Sequence, residues 1–217
     1  MKTINPSELS PMQVQMILQT AVSPRPIALA STIDKNGNVN LSPFSFFNLF
    51  SSNPPILIFS PARRVRDNST KDTLHNVLEV PEVVIGNVNF NMVQQVSLSS
   101  TEYETGVDEF IKSGLTKKPS ELVKPPLIAE SPVNFECKVI EVKPLGNEGG
   151  AGNLVICEVL KIHIREEFLN EEGNLDQKKL DLVSRLGGNW YGRTSAETLF
   201  EVPKPLVTKG IGFDQLP

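Results

Sequence analysis

The sequence predicts a mainly β protein, an antiparallel barrel with peripheral helices, and three observations predict it. Two apolar runs, Ile27 to Ile33 and Val39 to Phe44, are joined by Asp34-Lys35-Asn36-Gly37, residues that tolerate the positive φ of a tight hairpin turn. A third run, Ile56 to Phe59, follows Ser51-Ser52-Asn53-Pro54-Pro55, so the opening strands read as an antiparallel meander and not as βαβ units. Further on, Val133, Phe135, Cys137 and Val139 alternate with Asn134, Glu136 and Lys138, the period of a half-buried strand. Leu154 to Ile164 returns across the glycine-rich loop 146–152 and is long enough for a bent barrel strand.

The remaining elements follow in order. Ser10 is a candidate N-cap with Pro11 at the first helical position. Met12, Met16, Ile17 and Ala21 repeat at helical spacing, so 10–20 reads as a short amphipathic helix packing on the barrel. Ser23-Pro24-Arg25-Pro26 stops it. The basic connector 61–69 leads to a helix over 69–78, a strand over 82–88 and a short helix over 89–96. Residues 97–130 are loop-rich, with a helical turn at 108–113 stopped by Gly114. After Arg165 strand signals cease, leaving a candidate helix at 176–183 and a proline-containing tail. One domain over 1–217 is the expectation, with the barrel at about 23–164 and residues 165–217 wrapped around it.

Composition narrows the function. The formal charge of −4 does not favour nucleic acid, and no apolar run approaches the roughly 20 residues that span a bilayer. The start, Met1-Lys2-Thr3-Ile4-Asn5-Pro6, has no secretory signal, so a cytoplasmic location is expected. Cys137 and Cys157 lack metal-ligand spacing and read as buried, reduced thiols, and no metal is expected. No Rossmann G-x-G-x-x-G, P-loop or G-x-S-x-G elbow is present. The glycines at 146–152 sit between two antiparallel strands and read as a flexible hairpin loop. His163 lies in a strand, where a satisfied barrel histidine is expected. A chain without an acid–base or nucleophile constellation leaves chemistry to a cofactor, and no side chain is singled out as catalytic.

Several segments occur together, in order. They are Pro24-Arg25-Pro26-Ile27-Ala28, Ser31-Thr32, Asn40-Leu41-Ser42-Pro43-Phe44-Ser45-Phe46-Phe47-Asn48, Ser52-Asn53-Pro54-Pro55, Lys71-Asp72-Thr73-Leu74 and Arg185-Leu186-Gly187-Gly188-Asn189-Trp190-Tyr191. This ordered set resembles the flavin reductase-like family, in its flavoredoxin-like branch. The resemblance implies an FMN-binding split β-barrel, an antiparallel Greek-key barrel, with FMN held non-covalently and reduced by hydride from NADH or NADPH. It also implies a homodimer with FMN near the subunit interface. In relatives the electrons pass to free flavin, to a partner monooxygenase or to another acceptor. A flavoredoxin-like electron carrier and a non-catalytic flavin-binding barrel are the alternatives.

Site residues follow from the resemblance and from residue chemistry together. Lys71, Asp72 and Thr73 open a helix, whose free amides and dipole favour a phosphate; Ser60 adds a hydroxyl, and Arg63 or Arg64 a cation. The competing assignment is that Asp72 or Thr70 merely caps the helix and the arginines are solvated. For the ring, Ser45, Phe46 and Asn48 are the candidates, with Ser31 and Thr32 facing the same edge. Both phenylalanines could instead be core, Phe47 above all. Gly187 allows close backbone approach to a flat ligand, and Trp190 could stack a nicotinamide or simply pin a C-terminal loop.

Overall fold

The computed structural model describes residues 1–104 and 106–202; the proline-containing tail lies outside them. Its centre is a seven-stranded antiparallel sheet made of β1 (Ala28–Ile33), β2 (Val39–Phe44), β3 (Phe47–Ser52), β4 (Pro55–Phe59), β5 (Glu82–Asn87) and two long strands. Between β5 and those strands lie the short pieces β6 (Lys117–Lys118) and β7 (Leu127–Ile128). The long strands are β8 (Val133–Pro144) and β9 (Asn153–Ile164). The order across the sheet is β2-β1-β5-β8-β9-β4-β3.

That order corrects the meander. β1 and β2 form the expected hairpin, its turn held by Asp34 accepting the amides of Asn36 and Asn38, both at 2.8 Å, and by Gly37 at φ +90°. The chain then crosses to the opposite edge. The segment 45–48 is not only a connector, because Phe47 opens β3, which pairs with β4 across a bulge between Leu49 and Ser51. β2 and β3 are therefore the two unpaired edges of one curved sheet, adjacent in sequence and separated in pairing. The opening between them is the split of the barrel.

Alternation sorts the side chains into two layers. Ala28, Ala30, Phe44, Phe59, Val83, Ile85, Val155 and both cysteines fill the interior, sealed by Leu74 and Val77 of α2 (Asp72–Glu79). Leu29, Leu41 and Val84 point outward under Val96 of α3 (Val93–Ser99) and Phe110 of α4 (Glu109–Ser113). β1 and β5 are thus covered on both faces. A fully buried ring such as Phe59 contributes roughly 1.5–3 kcal/mol relative to exposure. Burial pushes the Cys137 thiol up to about 12 and holds Cys157 well above the ordinary thiol value, as expected of inert core thiols.

Two peripheral expectations change, one toward each end of the chain. The N-terminal helix α1 (Pro11–Ala21) forms with the expected Ser10 cap, closed reciprocally by Gln13, but it buries none of its residues. Met12 and Met16 are more than 60% exposed, so α1 stands off the sheet instead of packing on it. The loop-rich stretch 97–130 covers the free edge of β2, where Glu109 accepts the Leu41 amide at 3.0 Å. Strand structure also continues past Arg165. After the single turn α5 (Gln177–Leu180), β10 (Val183–Arg185) and β11 (Tyr191–Arg193) make a small separate hairpin, and Arg25 bridges to Arg185. The strand signal there was too short to register: each strand has three residues.

Candidate functional site: a two-part cavity at the split

The open side of the sheet carries two adjoining cavities of opposite character. The larger, about 950 Å³, runs between α1 and the loop 62–66. Met12, Met16, Leu18, Phe46, Ala62 and Val65 give it an apolar wall. The smaller, about 160 Å³, is polar and is bounded by Asn40, Ser42, Asp72, Thr73, Glu109 and the stretch 99–103. Arg64 and Lys71 line both, so the two cations stand where the cavities meet.

The loop between β4 and α2 sets those cations. Arg63 donates to the side-chain oxygen of Asn68 at 2.6 Å and to its carbonyl at 3.0 Å, and Asn68 adopts φ +58°. Arg64 donates to Ser69 Oγ and the Thr70 carbonyl and pairs with Glu102 at 2.7 Å. Arg66 reaches the same Glu102 oxygen at 2.6 Å. Ser69 first, and Arg66 after it, hold the Asp67 carboxyl far below the usual carboxylate range.

Lys71 is different. Among the described residues its side chain makes no hydrogen bond or ion pair, and its ammonium lies 5.1 Å from the Phe44 ring centroid. Burial, then Arg64, pull its pKa down; Glu102 opposes them. It is the N-cap of α2 and provides no side-chain cap. The amides of Asp72 and Thr73 at the helix start have no intrahelical acceptor. A desolvated cation beside open amides is a place for an anion.

The glycine-rich loop between β8 and β9 forms the expected hairpin, but it is docked and not free. Arg63 N–H donates to the Ala151 carbonyl at 2.8 Å, Gly150 N–H to the Arg63 carbonyl at 2.9 Å, and Asn68 to the Asn147 carbonyl at 2.9 Å. Gly149 and Gly150 thereby line the larger cavity.

With this geometry in place, comparison with known proteins is decisive. Residues 21–182 match the flavin reductase like domain. The chain belongs to the flavin reductase like family. An uncharacterized protein of Halalkalibacterium halodurans is 38% identical over 208 residues, covering 95% of this chain and 98% of that one. Among solved structures, nitrilotriacetate monooxygenase component B from Bacillus cereus is 28% identical with a TM-score of 0.86, covering 93% of this chain and 98% of the other. The 2-nitrobenzoate 2-nitroreductase NbaA of Pseudomonas fluorescens is 27% identical with a TM-score of 0.82, covering 96% and 100%. The unclosed sheet is the family's split barrel.

In this flavin reductase like chain the candidate residues separate. Phe46, Lys71, Asp72 and Thr73 converge on the cavities, with the Thr73 hydroxyl 2.9 Å from the Asn40 side chain. Ser45 and Gly187 are not in the lining but touch residues beside it: Ser45 Oγ accepts from Arg25 at 3.5 Å, and Gly187 lies against Thr20 of α1. The others line neither cavity. Ser31 is buried in the outer layer, and Thr32 accepts from Asn76 at 3.1 Å. Asn48 is exposed, its oxygen taken by the Leu49 amide at 2.8 Å. Ser60 is buried beside Gly152, and its Oγ has no partner among the described residues. Trp190 is 76% exposed at the tip of the β10–β11 hairpin. Sequence reasoning missed α1, Arg25, Asn40, Glu109 and Gly149 as parts of the site; the methionines of α1 were the available signal, since a helix that packs on a core rarely leaves them bare.

His163 is held by Glu136, 2.6 Å away, as expected of a satisfied histidine. Burial alone would push the Glu136 carboxyl up, but the amides of Glu121, Leu122 and Val123 and the imidazole outweigh it and hold it below its usual range. Among the described residues no cluster suits a metal ion, and no helix is long and apolar enough to cross a membrane.

Proposed function

We propose that the chain is an FMN-dependent NAD(P)H oxidoreductase, with the phosphate end of FMN in the polar cavity and the ring in the apolar one. Lys71 carries the reading: a desolvated ammonium with no bound carboxylate, at a helix start, shared by one cavity fit for a flat apolar ring and another fit for an anion. Lys71, Arg64 and the amides of Asp72 and Thr73 would hold the phosphate. Phe46 and the α1 methionines would contact the ring and exclude water from it. When bound, FMN would supply two-electron hydride chemistry with NADH or NADPH as donor. No general base is needed from the protein.

The names of the similar proteins, a monooxygenase component and a nitroreductase, support a redox role of this kind. A homodimer is part of the reading: the edge strand β3 leaves Leu49 and Phe50 each 63% exposed, an apolar edge that a second copy would cover. Sedimentation of the pure protein checks that element separately.

The test of the whole is an anaerobic titration. Protein mixed with FMN and freed of excess should be yellow, and NADH or NADPH should bleach it. Protein left colourless by excess FMN rejects the reading. A yellow protein that neither nucleotide bleaches is an electron carrier and not a reductase.

A further inference from the structure

α1 supplies one wall of the larger cavity yet buries none of its residues. An isolated helix of this length is marginal in water, so something other than apolar packing must hold it. Arg25 is that something. Its side chain is buried, with 7% of the residue exposed. One terminal nitrogen donates to the carbonyls of Gln19 and Val22, the latter at 2.5 Å, at the C-terminal end of α1. There the helix dipole is negative and orphan carbonyls need donors. The other terminal nitrogen donates to the Leu186 carbonyl at 2.9 Å, and Nε points to Ser45 Oγ at 3.5 Å. The backbone of Arg25 exchanges bonds of 3.0 and 2.9 Å with Arg185.

No carboxylate pairs with this guanidinium among the described residues, and Arg185 lies near enough to disfavour its charge further. A buried cation balanced only by carbonyl dipoles is costly. What it joins is specific: Gln19 lines the larger cavity from α1, and Ser45 precedes Phe46, which lines the same cavity from the segment before β3. We propose that Arg25 is a positioning residue that fixes α1 against the Ser45–Phe46 segment and the 186–190 loop, and so sets the width of the flavin cavity. The consequence for flavin rests on the function proposed above; the attachment of α1 does not.

The test combines Arg25→Lys with hydrogen exchange. Lysine keeps the charge but presents a point donor that does not span carbonyls on both sides. Wild-type amides of residues 14–22 should be protected; exchange at unstructured rates there would overturn the proposal with no variant needed. In Arg25→Lys those amides should lose protection while β8 and β9 keep theirs. FMN affinity should fall by about tenfold or more, the scale of one charge-assisted hydrogen bond. Unchanged α1 exchange in the variant overturns the proposal, as does uniform loss over α1 and the sheet, which would make Arg25 a general stability residue. If the wild type binds no FMN, the proposed function fails, and the exchange data still decide the role of Arg25.

Discussion

The backbone of Gly149 lies directly on that of Val65: a Cβ at 149 would stand 3.0 Å from both the Cα and the carbonyl oxygen of Val65. The β8–β9 hairpin therefore acts as a backstop for the loop that carries Arg63, Arg64 and Arg66. In Gly149→Ala the methyl group has no flexible side chain to push aside. Overpacking of this kind costs about 1–3 kcal/mol, and the loop relieves it by moving into the larger cavity. FMN affinity, followed by fluorescence quenching, should weaken by up to about an order of magnitude. Wild-type affinity in the variant would show that the loop is not held from behind.

Lys71→Ala should weaken FMN binding by about 1–3 kcal/mol, the worth of a charge-assisted bond to phosphate. The pH dependence has a definite sign. Burial holds the Lys71 pKa below its ordinary 10.5, and a bound anion favours the charged form. FMN affinity should be full at neutral pH and fall as pH rises through the depressed pKa, with proton uptake on binding in that window. The alanine variant should lack this alkaline limb. A wild-type profile flat to pH 10.5 would reject the phosphate role.

Glu136 belongs to stability and not to the cavity. Its carboxylate holds three amides of the 121–123 turn and His163, so Glu136→Gln should destabilise by about 1–3 kcal/mol at neutral pH. Because the folded pKa lies below the ordinary 4.5, the carboxylate's advantage is present above that value and is lost as pH falls through the folded one. Denaturant melts of the two proteins should differ at pH 7 and converge at acid pH. A difference that persists unchanged into acid would show that charge is not the cause.

Trp190→Ala should leave stability within about 0.5 kcal/mol, as for an exposed site, because 76% of the residue is open to solvent. On the proposed function, it should raise the nicotinamide Michaelis constant more than the FMN dissociation constant. Equal losses in both would mean that the ring packs on the flavin.

Much of the fold was legible because its signals are local. The strand over 133–139, the Asp34–Gly37 turn and the Ser10 cap each depend on a few neighbouring residues and formed, but the strand is not half-buried as read: Asn134 and Glu136 on its polar face are buried against 121–128. The candidate site was half legible. Lys71, Asp72 and Thr73 announce themselves by standing at a helix start, and Phe46 by its exposed aromatic segment. Ser60 sits two residues from Ala62, and Thr32 pairs across the hairpin with Asn40, yet neither these two nor Ser31 lines a cavity. A strand's two faces cannot be assigned to inside and outside until its partners are known.

By itself the sequence determined the strand and turn chemistry, the inert thiols, the absence of a local acid–base motif and the cation at the start of α2. Only the tertiary structure decided that β2 and β3 become opposite edges, that α1 hangs on Arg25 as a cavity wall, and that the glycine hairpin braces the arginine loop. The reason is range: periodicity and capping act over one or two turns of chain. The cavity, by contrast, is enclosed by segments as far apart in the chain as Pro6 and Gly150, and their meeting depends on how the whole sheet curls.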